Sequence, residues 1–157
     1  GLMVNGYFLN NELTDLSLIP DRGGVPVANR VEGGKRPRSS MAPTLVYSPD
    51  GKLRLAIGAA GGTTIPAQVL KAIIGVIDWD LSAQDAIALP VIFAPGGDVV
   101  FVEQGSFQEA MIPALQALGH KEVRLRERSF KANAVEVTDG LLQGAADPRS
   151  EGRAVSE

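Results

Sequence analysis

The stretch that decides the fold is TLVYSPDGKLRLAIGAAGGTTIPAQVLKAIIGVI, residues 44–77. Thr44-Leu45-Val46-Tyr47 and Leu53-Arg54-Leu55-Ala56-Ile57 are short apolar runs on either side of Ser48-Pro49-Asp50-Gly51-Lys52. Proline presets φ in such a turn and glycine accepts φ > 0, so the segment predicts a β-hairpin. Its second strand runs into Gly58-Ala59-Ala60-Gly61-Gly62. Thr63 or Thr64 then caps a helix that tolerates Pro66 in its first turn. Ile65, Val69, Leu70, Ile73, Ile74 and Ile77 recur at the 3.6-residue period and predict a wide buried face. Antiparallel strands beside helices point to an α+β fold, with sheets covered by helices in layers.

Upstream, residues 2–9 predict one short strand, with its sheet partner expected from chain outside this sequence. From Asn10 to Met41 there is little periodicity and much punctuation by Pro20, Gly23-Gly24, Pro26, Gly33-Gly34 and Pro37. So long a loop inside a domain is usually functional or disordered. Downstream, Ser82-Ala83-Gln84-Asp85 resembles a capping box opening a short helix that stops before Pro90. Asp98 to Glu103 predicts a strand. Ser106-Phe107-Gln108-Glu109 is a capping box whose helix is either kinked at Pro113 or begins late, and which stops at Gly119. Val123 to Leu125 and Ala132 to Val137 predict strands, and Thr138-Asp139-Gly140 turns the latter back into Leu141-Leu142. The polar tail from Asp147 is expected on the surface or frayed. With no repeat and no linker, residues 1–157 are expected to form a single-domain fragment.

Composition narrows the chemistry. The chain has 157 residues, 15 Lys plus Arg against 18 Asp plus Glu, and a formal charge of −3. It lacks a basic block, which argues against nucleic-acid binding. No apolar run reaches the roughly 18 residues of a membrane span. There is no cysteine and one histidine, which excludes disulfides, thiol catalysis, Cys/His zinc sites and a triad with more than its imidazole. Carboxylates, hydroxyls and backbone amides remain for any catalysis.

Three groups of such residues stand out. Glu12 and Asp15 lie three apart, on one side of a turn, where two carboxylates can hold an ammonium group; ordinary surface acids have the same spacing. Ser39 and Ser40 follow Lys35-Arg36-Pro37-Arg38, so their hydroxyls and amides sit in an electropositive neighbourhood suited to a carboxylate, or simply in a solvated turn. Gly61 and Gly62, between a strand end and a helix N-terminus, expose two N–H groups as an oxyanion hole would, or form a tight turn. No Gly-Lys-Ser/Thr follows, so nucleotide binding is disfavoured. His120 after Gly119 is expected at a solvent-exposed helix end, and Asp147-Pro148-Arg149 as a structural turn or local ion pair.

Taken in order, Asn10-Asn11-Glu12-Leu13-Thr14-Asp15, Lys35-Arg36-Pro37-Arg38-Ser39-Ser40-Met41-Ala42-Pro43-Thr44, Gly61-Gly62-Thr63-Thr64-Ile65-Pro66 with Val69-Leu70 and Ile77-Asp78, and Asp147-Pro148-Arg149-Ser150 resemble the small subunit of γ-glutamyltranspeptidase. The resemblance runs in register over nearly the whole chain. It implies an N-terminal-nucleophile hydrolase fold, two stacked antiparallel sheets between helical layers (αββα). It implies that Glu12 and Asp15 bind the α-ammonium of a γ-glutamyl group, Ser39 and Ser40 its α-carboxylate, and Gly61 and Gly62 the tetrahedral oxyanion. Thr14 departs from the pattern, since an acid is frequent beside the matched Asp15, and this weakens the local negative field. The resemblance also implies a periplasmic or secreted location. Its implied partners are the large subunit and the N-terminal part of the small subunit, and it implies no metal or organic cofactor.

The family's nucleophile is a threonine freed at its amine by self-cleavage. Here the sequence opens at Gly1, and Thr14, Thr44, Thr63, Thr64 and Thr138 are internal. The chain is therefore expected to carry γ-glutamyl recognition and the oxyanion hole as the C-terminal part of a small subunit, without the nucleophile. Two alternatives stand beside the enzyme reading: an acylase of the same superfamily acting on cephalosporin side chains, and a non-catalytic binding or structural relative. Retention of Glu12 and Asp15 argues against a substrate lacking an α-amino group. Purified alone, the 157-residue chain is expected to show no turnover of a chromogenic γ-glutamyl anilide. Sustained turnover free of contaminating enzyme would place the nucleophile within it.

Overall fold

The computed structural model describes residues 2–155, which fall into two compact units, one ending at Ser39 and the other beginning at Ser40. In the first unit, the single strand expected over residues 2–9 is instead a hairpin of β1 (Met3–Val4) and β2 (Tyr7–Phe8). Asn5 and Gly6 take φ of 51° and 86°. These positive values make a two-residue turn matched to strand twist, for which Asn-Gly is the preferred pair. The strand thus finds its partner within its own neighbourhood. A second small hairpin, β3 (Asp21–Arg22) with β4 (Val25–Pro26), punctuates the long loop. Leu16 is the buried apolar residue of this unit.

The second unit is built on the predicted hairpin. β5 (Thr44–Tyr47) pairs with β6 (Leu53–Ala60), and β6 pairs with β9 (Lys131–Thr138), which turns back into β10 (Leu141–Ala146). The resulting sheet is antiparallel, in the order β10-β9-β6-β5. Alternation decides its faces. Leu55, Ile57, Ala132 and Ala134 join the core with α1 (Ile65–Ile77) and α2 (Ala83–Ala88). On the opposite face Leu45, Ala56, Val135 and Gly144 form one cross-strand row, and Leu45 and Val135 are exposed.

α1 turns inward a face different from the one the isoleucine pattern suggests. Ile65, Gln68, Val69, Ala72, Gly75 and Val76 are buried, whereas Leu70 and Ile77 are exposed. The reason is the close approach of α2: a Cβ on Gly75 would lie 2.6 Å from the Ala86 Cβ. Small residues face the neighbour, and the larger Leu70 and Ile74 line an open apolar cleft with Trp79, Ile92 and Phe107. Ser82 caps α2 by accepting from the Asp85 N–H, as its capping box predicts. The buried Glu136 carboxylate accepts from the Ala83 N–H at 2.8 Å, placing negative charge at the helix N-terminus.

β7 (Val99–Glu103) and β8 (Glu122–Arg126) form a parallel pair rather than another hairpin. α3 (Ile112–Ala117) joins them, preceded by a 3₁₀ turn over Phe107–Met111. Pro113 sits in the first turn of α3, so the helix begins late and is not kinked. His120 is exposed, as expected.

The tail is the largest correction. Asp147 and the side chain of Arg149 are buried rather than frayed, in the local ion pair expected for them, while residues 151–155 are exposed. Arg149 Nε and Nη2 donate to the two Asp147 oxygens at 2.7 and 3.0 Å, and Nη1 donates to Glu103 Oε2 at 2.7 Å. Nη2 and Nη1 also reach the Ile87 and Leu89 carbonyls, and the guanidinium lies 5.2 Å from the centroid of the Phe130 ring. Removing one partner of a buried pair strands the other charge and costs about 3–5 kcal/mol. Arg149→Met is therefore expected to destabilise the protein by about that amount in urea denaturation. A loss under about 1 kcal/mol would show that the cluster is not held as described.

Candidate active site

In the first unit, Glu12 and Asp15 begin and end a single 3₁₀ turn, Glu12–Asp15, and both are half-buried. The turn is tied from both ends. Asn10 Oδ1 accepts from the Glu12 N–H at 3.1 Å, and Thr14 Oγ1 donates to the Asn11 carbonyl at 2.7 Å. Asn29, which sequence reasoning missed, donates from Nδ2 to the Asp15 carbonyl at 2.7 Å and accepts from the Arg38 N–H at 3.3 Å. One side chain thus links the carboxylate-bearing turn to the residue preceding Ser39. Asn29 carried no signal in the sequence, because a lone asparagine in a loop usually bonds locally.

The electropositive surroundings expected for Ser39 and Ser40 are partly offset. Glu32 lies between Arg30 at 2.9 Å and Lys35 at 2.7 Å. The hydrogen bond from Lys35, with the charge of Arg30, holds its carboxyl below the usual carboxylate range. Arg36 and Arg38 remain exposed. Ser39, the last residue of this unit, is exposed, and Ser40, the first of the next, is half-buried.

In the second unit, Gly61 and Gly62 occupy the junction of β6 and α1, entered through a 3₁₀ turn over Gly62–Thr64. Gly61 has φ of 136°, a conformation closed to other residues without strain. A Cβ on Gly62 would meet nothing within 4 Å. Thr64 does not cap α1. Its Oγ1 donates back to the Gly61 carbonyl at 3.0 Å. Gln68, at a core position of α1, donates from Nε2 to the Ala60 carbonyl and to Thr64 Oγ1, both at 3.0 Å, and accepts from the Lys131 N–H at 2.9 Å. The sequence showed Gln68 only as a polar interruption of the apolar stripe. The end of β6 also lines an open polar cleft with Lys131, Asn133 and Ser150.

The family model described as gamma-glutamyltranspeptidase matches residues 1–156. The chain belongs to that family. It is 38% identical to the glutathione hydrolase proenzyme of Escherichia coli (strain K12), covering 93% of this chain and 26% of that protein. It is 34% identical to the acylase ACY 1 proenzyme of Pseudomonas sp. (strain SE83), covering 96% of this chain and 26% of that protein. The chain therefore spans about a quarter of the length of these curated relatives. Among solved structures, an acivicin-inhibited γ-glutamyltranspeptidase matches with a TM-score of 0.77 at 31% identity, over 94% of this chain and 83% of that one. A highly active mutant of γ-glutamyltranspeptidase from Pseudomonas nitroreducens matches with a TM-score of 0.77 at 27% identity, over 99% and 84%. The antiparallel sheet with its helical cover is thus part of an N-terminal-nucleophile hydrolase fold.

One titratable group outside these residues is strongly shifted. Lys71 Nζ donates to the Ile87 and Leu89 carbonyls, each at 2.7 Å, beside the apolar cleft. Burial, reinforced by the charge of Arg149, lowers its pKa from 10.5 to about 8. Between those two values the unfolded chain holds more protons than the folded protein, so this group makes stability rise with pH across the window. Relative to a Lys71→Met variant, the unsubstituted protein is expected to gain melting temperature from about pH 8 upward. Parallel melting curves from neutral to alkaline pH would contradict the shift.

Proposed function

We propose that this chain supplies substrate-binding and oxyanion groups for γ-glutamyl transfer or hydrolysis, with glutathione or a similar γ-glutamyl compound as donor. The observation that carries the reading is the 3₁₀ turn that holds two half-buried carboxylates, Glu12 and Asp15, in a member of the γ-glutamyltranspeptidase family. An amino-acid head needs acceptors for its ammonium and donors for its carboxylate. Glu12 and Asp15 provide the first, and the hydroxyls of Ser39 and Ser40 provide the second.

Attack by the family's N-terminal threonine on the γ-amide forms a tetrahedral oxyanion, which the Gly61 and Gly62 amides stabilise. Collapse expels the amine and leaves a γ-glutamyl ester. Water or an acceptor amine then releases the glutamyl group. The partners in this reading are the large subunit and the N-terminal part of the small subunit, in a periplasmic or secreted setting. No helix among the described residues is long and apolar enough to cross a membrane. Likeness to the acylase of Pseudomonas sp. keeps a side-chain acylase as the second reading.

In the full-length protein, Glu12→Gln or Asp15→Asn is expected to weaken γ-glutamyl binding by about 1.5–3 kcal/mol, the worth of one charge-assisted hydrogen bond. The loss should shrink for glutaryl amides, which lack the ammonium group. Equal losses on both substrates would remove these carboxylates from ammonium recognition, and a preference for the glutaryl amide would favour the acylase.

A further inference from the structure

We propose that Gln68 and Thr64 are positioning residues for the reaction, aiming the Gly61 and Gly62 N–H groups through hydrogen bonds to the carbonyls of Ala60 and Gly61. The inference rests on the oxyanion role proposed above for those two amides. A trans peptide is planar and carries its C=O and N–H on opposite edges. Whatever holds the carbonyl of one residue therefore sets the direction of the next residue's N–H. No cis peptide interrupts this relation among the described residues. Gln68 Nε2 holds the Ala60 carbonyl at 3.0 Å and so orients the Gly61 N–H. Thr64 Oγ1 holds the Gly61 carbonyl at 3.0 Å and so orients the Gly62 N–H.

The two clamps are joined and anchored. Gln68 Nε2 donates to Thr64 Oγ1, and Gln68 Oε1 accepts from the Lys131 N–H of β9, so the sheet holds the turn in addition to the turn's own backbone bond from the Thr64 N–H to the Gly61 carbonyl at 3.3 Å. Both side chains are 1% exposed. A buried amide is costly unless its hydrogen bonds are made, and an apolar residue at 68 would suit the core face of α1 without that requirement. The clamp also explains the glycine. A Cβ on Gly61 would lie 2.6 Å from Thr64 Oγ1 and 3.0 Å from Gln68 Nε2, so the absence of a side chain lets both donors close on the turn.

The test uses the full-length protein and a chromogenic γ-glutamyl anilide. Thr64→Val and Gln68→Leu keep the shape of the side chains and delete the donors. Each is expected to lower kcat about 10–100-fold, a part of the roughly 10²–10³ that one oxyanion donor carries, with KM within about twofold. Thr64→Ser restores the hydroxyl and is expected to return kcat to within about threefold of the unsubstituted protein. Folded Thr64→Val and Gln68→Leu variants with unchanged kcat would overturn the inference. So would a Thr64→Ser variant no better than Thr64→Val, because only melting temperature would then report the substitution. Should Gln68→Leu fail to fold, the Thr64→Val and Thr64→Ser pair decides alone. Gly62→Pro separates the two levels. Normal kcat in that folded variant removes the oxyanion role and this inference with it. Loss of kcat there, with kcat retained in Thr64→Val and Gln68→Leu, overturns the positioning role alone.

Discussion

The second unit depends on one guanidinium. Arg149 bonds to Asp147 just past the end of β10, to the C-terminal end of α2 and to Glu103, the last residue of β7. Its five donors meet Asp147, Glu103 and the carbonyls that α2 leaves unsatisfied at Ile87 and Leu89. A lysine offers a point charge, and Lys71 already fills that role on the same two carbonyls. The planar fork lets one side chain fasten a strand, a helix and a chain terminus together.

The oxyanion candidate is built differently, through neutral groups. Gln68 and Thr64 join the strand end to the helix start through uncharged hydrogen bonds, and the N-terminal end of α1 adds its dipole there. The carboxylates Glu12 and Asp15 belong to a segment with little core of its own, held by short hairpins and by Asn29. The groups proposed for the oxyanion thus stand at a strand-to-helix junction, and those proposed for the amino-acid head stand on a loop, the usual location of specificity.

Much of this was legible in the sequence because its signals were local. The hairpin over residues 44–60, the helix start near Thr64, the Ser82 cap and the Asp139-Gly140 turn each follow from a few adjacent residues. The Asn5-Gly6 turn was equally local and still overlooked, because the apolar run around it reads as one strand. What eluded the sequence depends on distant neighbours. Leu70 is exposed because small residues of α1 face α2, Gln68 is buried because Ala60 and Lys131 supply its partners, and the Asp147 and Arg149 side chains are buried with Glu103 across from them. Candidate residues at strand and helix ends were legible through turn chemistry, whereas the side chains that hold them, Asn29 and Gln68, were not.

The contact of Gly75 with Ala86 limits what the seam between α1 and α2 can hold. A methyl added at 75 would sit 2.6 Å from the Ala86 Cβ and 3.2 Å from its Cα, which belongs to the backbone and cannot rotate aside. The two positions therefore share one fixed allotment of volume. Shrinking position 86 to glycine would remove the 2.6 Å contact and leave the 3.2 Å one, so an alanine at 75 also requires the two helix backbones to part slightly. The pair thus acts as a stop that sets how near α1, and with it the turn at its N-terminal end, can come to α2.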